Sequence, residues 1–138
     1  MIRVTVDTNV LVSATFWNGD SEAIIQKAER KELELVLSRE IIEEFAKVLD
    51  YSELQDKIKK KNLEMKRTIA KIVSLSTLVE PERKLDVVKA DPDDNKILEA
   101  AETGKVDAII SKDNHLLALH SFKGIRILSP EEFLRNRG

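Results

Sequence analysis

Four carboxylates in this chain stand where side chains do chemistry. Asp7 follows the β-rich run Ile2, Val4 and Val6 and falls where that strand should end. Asp113 follows a second such run, Val106 to Ile110, and so takes the same place one strand over. Asp94 opens a helix whose buried side carries Ile97, Leu98, Ala100 and Ala101. On the helical wheel it points along the middle of that apolar face, with Asp93 toward its edge. Glu44 borders the stripe formed by Ile41, Ile42, Phe45, Val48 and Leu49, whereas Glu43 projects toward water. In an open α/β sheet, ligands bind beyond the carboxyl ends of the strands; Asp7, Asp94 and Asp113 map to that edge, and Glu44 can lean toward it from the helix after the second strand. Four carboxylates at roughly 5 Å spacing repel by about 3 kcal/mol per pair at an effective dielectric of about 20. A divalent cation resolves that repulsion, and an all-oxygen donor set indicates Mg2+ or Mn2+ rather than zinc.

Three of these acids also have an ordinary structural reading. Asp7 or Asn9 fits the cap of a helix from Val10 to Trp17. Glu44 fits a flank residue paired with Lys47 or Lys71. Asp91 fits an N-cap, with Pro92 at the first helical position and Asp93 and Asp94 in the first turn, where carboxylates favour the helix dipole. Asp94 is the least comfortable in that role. A carboxylate aimed into an apolar face is costly unless something there needs it.

The elements that position these acids alternate. After the first strand come two helices, the second capped by Ser21, and then a strand from Leu33 to Leu37. Ser38 opens the Glu44 helix, which runs to about Asp50. From Tyr51 to Leu75 the apolar spacing predicts one long helix or a helical hairpin broken near Asn62, projecting as an arm. Its basic residues include Lys59, Lys60, Lys61 and Arg67, read either as a solvated face or as a phosphate-contacting surface. Leu78 and Val79 suggest a third strand, and Pro81 to Ala90 an exposed connection. The Asp94 helix ends at Gly104. A short helix follows the Asp113 strand, then a last strand, Ile125 to Leu128, and a terminal helix with Ser129 as cap and Glu132 in the capping-box position. Such alternation predicts one domain over 1–138, three α/β/α layers with a central, mostly parallel sheet and a helical arm. His115 and His120 are five residues apart, on different helical faces, and read as surface or groove residues.

Composition narrows the classes. The chain has 138 residues and no cysteine, which excludes disulfides, thiol catalysis and thiolate metal sites. No apolar run approaches a membrane span of about 18 residues, and Met1 leads straight into a strand, so no membrane association and a cytoplasmic location are expected. Lys and Arg number 23 against 25 Asp and Glu, for a net charge of −2. Any nucleic-acid binding must therefore come from a local basic patch.

Four segments, D-T-N-V-L-V at Asp7 to Val12, S-R-E-I-I-E-E-F at Ser38 to Phe45, D-P-D-D-N-K-I-L-E-A-A at Asp91 to Ala101 and I-I-S-K-D-N-H-L-L at Ile109 to Leu117, resemble the PIN-domain nucleases. The resemblance spans nearly the whole chain and is nearest to small prokaryotic members described as toxins of toxin-antitoxin pairs. It implies a Mg2+- or Mn2+-dependent endoribonuclease with Asp7, Glu44, Asp94 and Asp113 at the family's acidic positions, and Asp7, Asp94 and Asp113 as metal ligands. It places Asn9 and Ser111 at supporting polar positions. RNA as substrate, a cognate antitoxin and a homodimer are the implied partners, the last through apolar residues such as Phe16, Trp17 and Leu54. One departure is that the helix from Asp94 to Gly104 is one residue short, with the following turn one longer, which keeps Asp93 and Asp91 as alternative acids. Two rivals stand beside this reading: a catalytically idle PIN-like domain that binds RNA or a partner, and a haloacid-dehalogenase-like phosphatase. The phosphatase would need D-x-D at its first strand, where this chain has Asn9.

Overall fold

A computed structural model describes residues 1–137. Its centre is a six-stranded sheet made of β1 (Ile2–Val6), β2 (Leu33–Ser38), β3 (Ser76–Val79), β4 (Ala108–Ile110), β5 (Ser121–Phe122) and β6 (Ile125–Leu128). The strand order is β3-β2-β1-β4-β6-β5, parallel throughout except for β5, which runs antiparallel to β6. From β1 the chain steps outward through β2 to β3, then returns across the sheet to β4 on the opposite side of β1. That reversal puts the topological switch point between β1 and β4. Right-handed crossovers then place the helices joining β1, β2 and β3 on one face and the returning helix on the other, giving the three α/β/α layers.

The helices follow the apolar periodicity closely. The helix α1 (Thr8–Phe16) begins two residues earlier than the Val10 start read from the sequence, because Asp7 takes the cap: its Oδ1 accepts the Val10 N–H at 3.0 Å. The next helix, α2 (Asp20–Glu29), is entered through Gly19, not through Ser21, which lies inside it and is buried. Asp20 and Glu22 in its first turn suit the dipole instead. Ser38 does cap α3 (Arg39–Leu49), whose Ile41, Phe45 and Leu49 are buried at four-residue spacing. The arm is a helical hairpin, α4 (Ser52–Lys60) and α5 (Met65–Leu75), and Asn62 turns it in the left-handed region at φ 54°. A 3-10 turn, Pro92–Asp94, leads into α6 (Asn95–Gly104), which packs on β1 to β4 and on α3. The short α7 (Asn114–Leu117) and the terminal α8 (Pro130–Arg137) complete the order, with α8 against α2 and β6.

The structure corrects three further expectations. β4 starts at Ala108 rather than Val106, because Lys105 sits in the left-handed region at φ 51° and the chain must turn before it can pair. The strand β5 is additional to those expected; its two residues form a hairpin closed by Gly124 at φ 82°. The connection from Pro81 to Ala90 is not simply exposed: Val88 is buried and Leu85 half-buried. It is strapped to α6 by buried polar side chains. Asn95 Oδ1 accepts the Val87 and Val88 N–H groups, both at 2.9 Å, while its Nδ2 donates to the Val88 and Pro92 carbonyls, both at 3.1 Å. Glu99 Oε2 accepts the Leu85 N–H at 2.8 Å. These bonds fix the approach to the acidic turn.

The core is aliphatic, with Val4, Val6, Leu35, Leu37, Ile109 and Ile110 from the sheet and Leu11, Phe45 and Leu98 from the helices fully buried or nearly so. Gly104 shows how tightly α6 lies on β2: a Cβ there would come within 2.6 Å of Val36 Cγ1, a stiff β-branched side chain with no exposure. Helix propensity alone favours Gly104→Ala by about 0.5–1 kcal/mol. Overpacking costs about 1–3 kcal/mol, and Val36 has nowhere to move. Denaturant unfolding of Gly104→Ala is therefore expected to show net destabilisation; a gain would mean that α6 stands farther off the sheet than described.

Candidate active site

The register of β1 on β4 pairs Val6 with Ile110, so the next residues of each strand, Asp7 and Ser111, emerge side by side at the switch point. The Asp7 N–H still bonds to the Ile110 carbonyl at 3.1 Å, and the Ser111 N–H to the Leu128 carbonyl at 2.9 Å, so both strand ends are held to the last residue. The Ser111 hydroxyl donates to Asp7 Oδ2 and accepts the Asp113 N–H at 2.9 Å. The Lys112 N–H adds a bond to Asp7 Oδ2 at 3.2 Å. Asp7 and Ser111 are both buried. Burial pushes the Asp7 carboxyl above its ordinary range. Its bonds from Ser111, Val10 and Lys112 pull it back, and the nearby Asp113 carboxylate pushes it up again.

Asp113 caps α7, its Oδ1 accepting the His115 N–H at 2.7 Å and the Leu116 N–H at 3.3 Å. Asp91 does not cap in this way. Its carbonyl accepts the Asp94 N–H at 3.0 Å, and its side chain makes no cap bond. Asp94 is only 8% exposed, and its Oδ2 has no hydrogen-bond partner. Its pKa is pushed up to about 8, first by burial, then by the Asp113 carboxyl against it, and further by the charges of Asp91 and Asp7.

One cleft is lined by Asp7, Thr8, Asn9, Glu44, Asp91, Asp93, Asp94 and Asp113, with Val48 and Ile97 as its apolar part. Glu44 reaches it from α3 and pairs with Lys96 at 3.9 Å, rather than with Lys47 or Lys71. Lys96 also lies 3.5 Å from Asp93, whose side chain is largely exposed. The ligand atoms of Asp91, Asp94, Asp113 and His115 all lie within 4.8 Å of one another, a group that could hold a metal ion. Asp7 stands beside this group with three of its lone-pair sites already taken by protein donors. Lys59, Lys60, Lys61 and Arg67 lie on the arm, all exposed, and Arg67 is 3.4 Å from Glu64.

A family model described as the PIN domain matches residues 3–115. The chain belongs to the PIN-domain family. That match covers every acid of the cleft and stops short of β5, β6 and α8. Comparison with individual curated proteins gave no match. For a PIN domain the arrangement is a nuclease fold with an acidic group compatible with a divalent ion. The fit is physical: an orphaned, buried carboxylate oxygen faces two further carboxylates, and a cation satisfies all three. His115 is the member of the group that sequence spacing passes over. Its separation from His120 says nothing useful, whereas its spatial partner is Asp113, two positions back.

The linkage has a definite sign. Without metal, folded Asp94 keeps its proton up to about pH 8, while in the unfolded chain it loses it near its ordinary value of 3.8. The folded state thus binds more protons between these limits, and its stability falls as pH rises through that window. In chelator, unfolding of the wild type is expected to show declining stability from pH 5 to pH 8. Asp94→Asn should flatten that slope and be the more stable protein at pH 8. A steeper or unchanged slope would mean that Asp94 ionises freely.

Proposed function

We propose that this PIN domain is a Mg2+- or Mn2+-dependent endoribonuclease, hydrolysing RNA phosphodiester bonds in the acidic cleft. One observation carries the reading: Asp94, buried with an unpartnered oxygen, lines the cleft at the switch point of the sheet, its ligand atom within 4.8 Å of those of Asp91 and Asp113. Folding alone gives no reason to keep a carboxyl there, so its value is functional. Asp91, Asp94 and Asp113 are the residues that would hold the ion. When bound, the ion supplies Lewis acidity, making a water a better nucleophile near neutral pH and offsetting charge on the scissile phosphate.

The chain's own groups do the rest. Asp7, fixed by Ser111, Lys112 and Val10, forms the floor of the cleft and positions Asp113 through the shared Ser111 hydroxyl. Ser111 cannot serve as a covalent nucleophile, because it is fully buried and its oxygen already donates to Asp7 and accepts from Asp113. Direct attack by water follows. Glu44 and Asp93, which share Lys96, are the lining carboxylates left; Glu44, less exposed and at the longer distance of 3.9 Å from that lysine, is the one assigned to accept the water's proton. Asn9 lines the same cleft and offers an amide to a phosphate oxygen or a water.

The narrower role, the toxin of a toxin-antitoxin pair with a cognate antitoxin, rests on the resemblance of the four acidic segments to small prokaryotic members. The same holds for a homodimer. Of the apolar residues considered for that interface, Trp17 is 49% exposed, whereas Phe16 is buried and Leu54 half-buried, so Trp17 is the residue to examine. Lys57 stands 5.0 Å over its ring.

Single-stranded RNA incubated with the pure protein should be cleaved in Mg2+ or Mn2+ and not in chelator. Asp94→Asn should lower the rate by about 100-fold or more, since loss of even an outer-shell partner costs about 10- to 100-fold. It is a cleaner test than Asp7→Asn, which also breaks accepted hydrogen bonds at the strand end. Binding of RNA without cleavage in either metal would favour the idle PIN-like reading. Hydrolysis of a phosphomonoester but not RNA would favour a phosphatase.

On the arm, neutralising Lys59, Lys60, Lys61 and Arg67 together is expected to weaken RNA binding and flatten its salt dependence. The slope should fall by about 0.7 for each single-strand phosphate that is no longer neutralised. An unchanged slope would make the arm's charges a solvated face.

A further inference from the structure

We infer that His115 supplies an imidazole nitrogen to the cation held by Asp91, Asp94 and Asp113, so that this site takes a first-row transition ion such as Mn2+ over Mg2+. The inference rests on the metal-binding reading above and narrows it from an all-oxygen site to a mixed one.

Three observations converge on it. The His115 ring offers a ligand atom within 4.8 Å of those of all three carboxylates. Asp94 Oδ2, in a side chain buried to more than nine-tenths that lines the same cleft, has no protein partner. The imidazole is half-exposed, and its Nδ1 lies beside the Asp113 carboxylate of the same group.

The local backbone makes His115 inseparable from Asp113. Asp113 caps α7, and the first N–H it accepts is that of His115 itself. Wherever the Asp113 carboxylate is fixed, the backbone that carries the imidazole is fixed with it. Its Nδ1 lies 3.5 Å from Asp113 Oδ1, an oxygen that already accepts two backbone N–H groups. That distance is too long for a good hydrogen bond, so the ring is not saturated by its neighbour.

The chemistry decides the ion. Mg2+ demands near-ideal octahedral oxygen coordination and dehydrates reluctantly. An imidazole donor suits first-row transition ions, whose affinities at such a site rise from Mn2+ to Co2+. Three carboxylates with one imidazole therefore favour Mn2+ or Co2+ over Mg2+, whereas three carboxylates and water would not separate them as far.

The test uses the metals alone, without RNA. Titration calorimetry of the full chain should give affinities in the order Mg2+ below Mn2+ below Co2+. His115→Ala should weaken Mn2+ and Co2+ by about tenfold or more, at least the loss seen for an outer-shell partner, and change Mg2+ by much less. Pulsed electron paramagnetic resonance of bound Mn2+ should show nitrogen coupling that His115→Ala removes. The control is His120→Asn, chosen because His120 is in the left-handed region at φ 61°, where Asn is tolerated; it should keep the coupling. Unfolding of both variants in chelator verifies that they fold. Tight Mn2+ binding with no nitrogen coupling, and equal affinity in His115→Ala, would overturn the inference and leave the carboxylate site standing. Absence of binding by any of the three ions would overturn the metal-binding reading and this inference with it.

Discussion

The hydrogen bond from the Ser111 hydroxyl to the Asp7 carboxylate is the interaction on which the rest of the cleft depends. It ties the carboxyl ends of the two strands that flank the switch point, and the same hydroxyl orients the backbone that presents Asp113. Without it, two acids at adjacent strand ends would be free to splay apart under their own repulsion. With it, the position of Asp113 is set by the sheet register rather than by a loop. This also explains why a serine stands in a fully buried place at the end of β4: it is the smallest side chain that can donate to one carboxylate and accept from the next turn.

The second half of the cleft depends on α6. Asp91 and Asp94 belong to a short 3-10 turn, a conformation with little stability of its own. What holds it is Asn95, whose amide is used on both sides by the strap from Leu85 to Val88, together with Glu99 one turn on. Both side chains are buried, and each makes the bonds its burial requires. The turn is thus fixed by hydrogen bonds, and Gly104 allows the helix behind it to lie close to β2. Within this turn it is Asp94 that is left unsatisfied. The contrast within one helix turn, Asn95 fully bonded beside Asp94 with a bare oxygen, separates structure from function in this segment.

Much of the framework is legible in the sequence because it is carried by periodicity. The apolar faces of α3 and α6, the strand ends at Asp7 and Asp113 and the Ser38 cap all follow from side-chain type and spacing, whereas spacing leaves the arm open between one helix and a hairpin, and the fold chooses the hairpin turned at Asn62. The differences lie where spacing carries no information. Asp91 looks like a cap in sequence, but the turn is closed by its carbonyl, which every residue has. Ser21 looks like a cap, yet the chain enters α2 earlier, through Gly19. The strap held by Asn95 and Glu99 joins side chain to backbone over seven to fourteen residues, a link without periodic signal. His115 is hidden for the same reason: its neighbours Asp91 and Asp94 come from a different element, and only the folded sheet brings them together.

The tie between Asp7 and Ser111 spans 104 residues. Asp7 leaves the ribosome well before Ser111 and Asp113, and the β6 strand that fixes the Ser111 backbone comes later still. At about 5–20 residues per second of synthesis, several seconds separate the two ends of that bond. During the interval the nascent chain carries Asp7, Glu44 and then Asp94, but no cleft. With this strand order the cleft cannot close until the codons for β4 and β6 have been read.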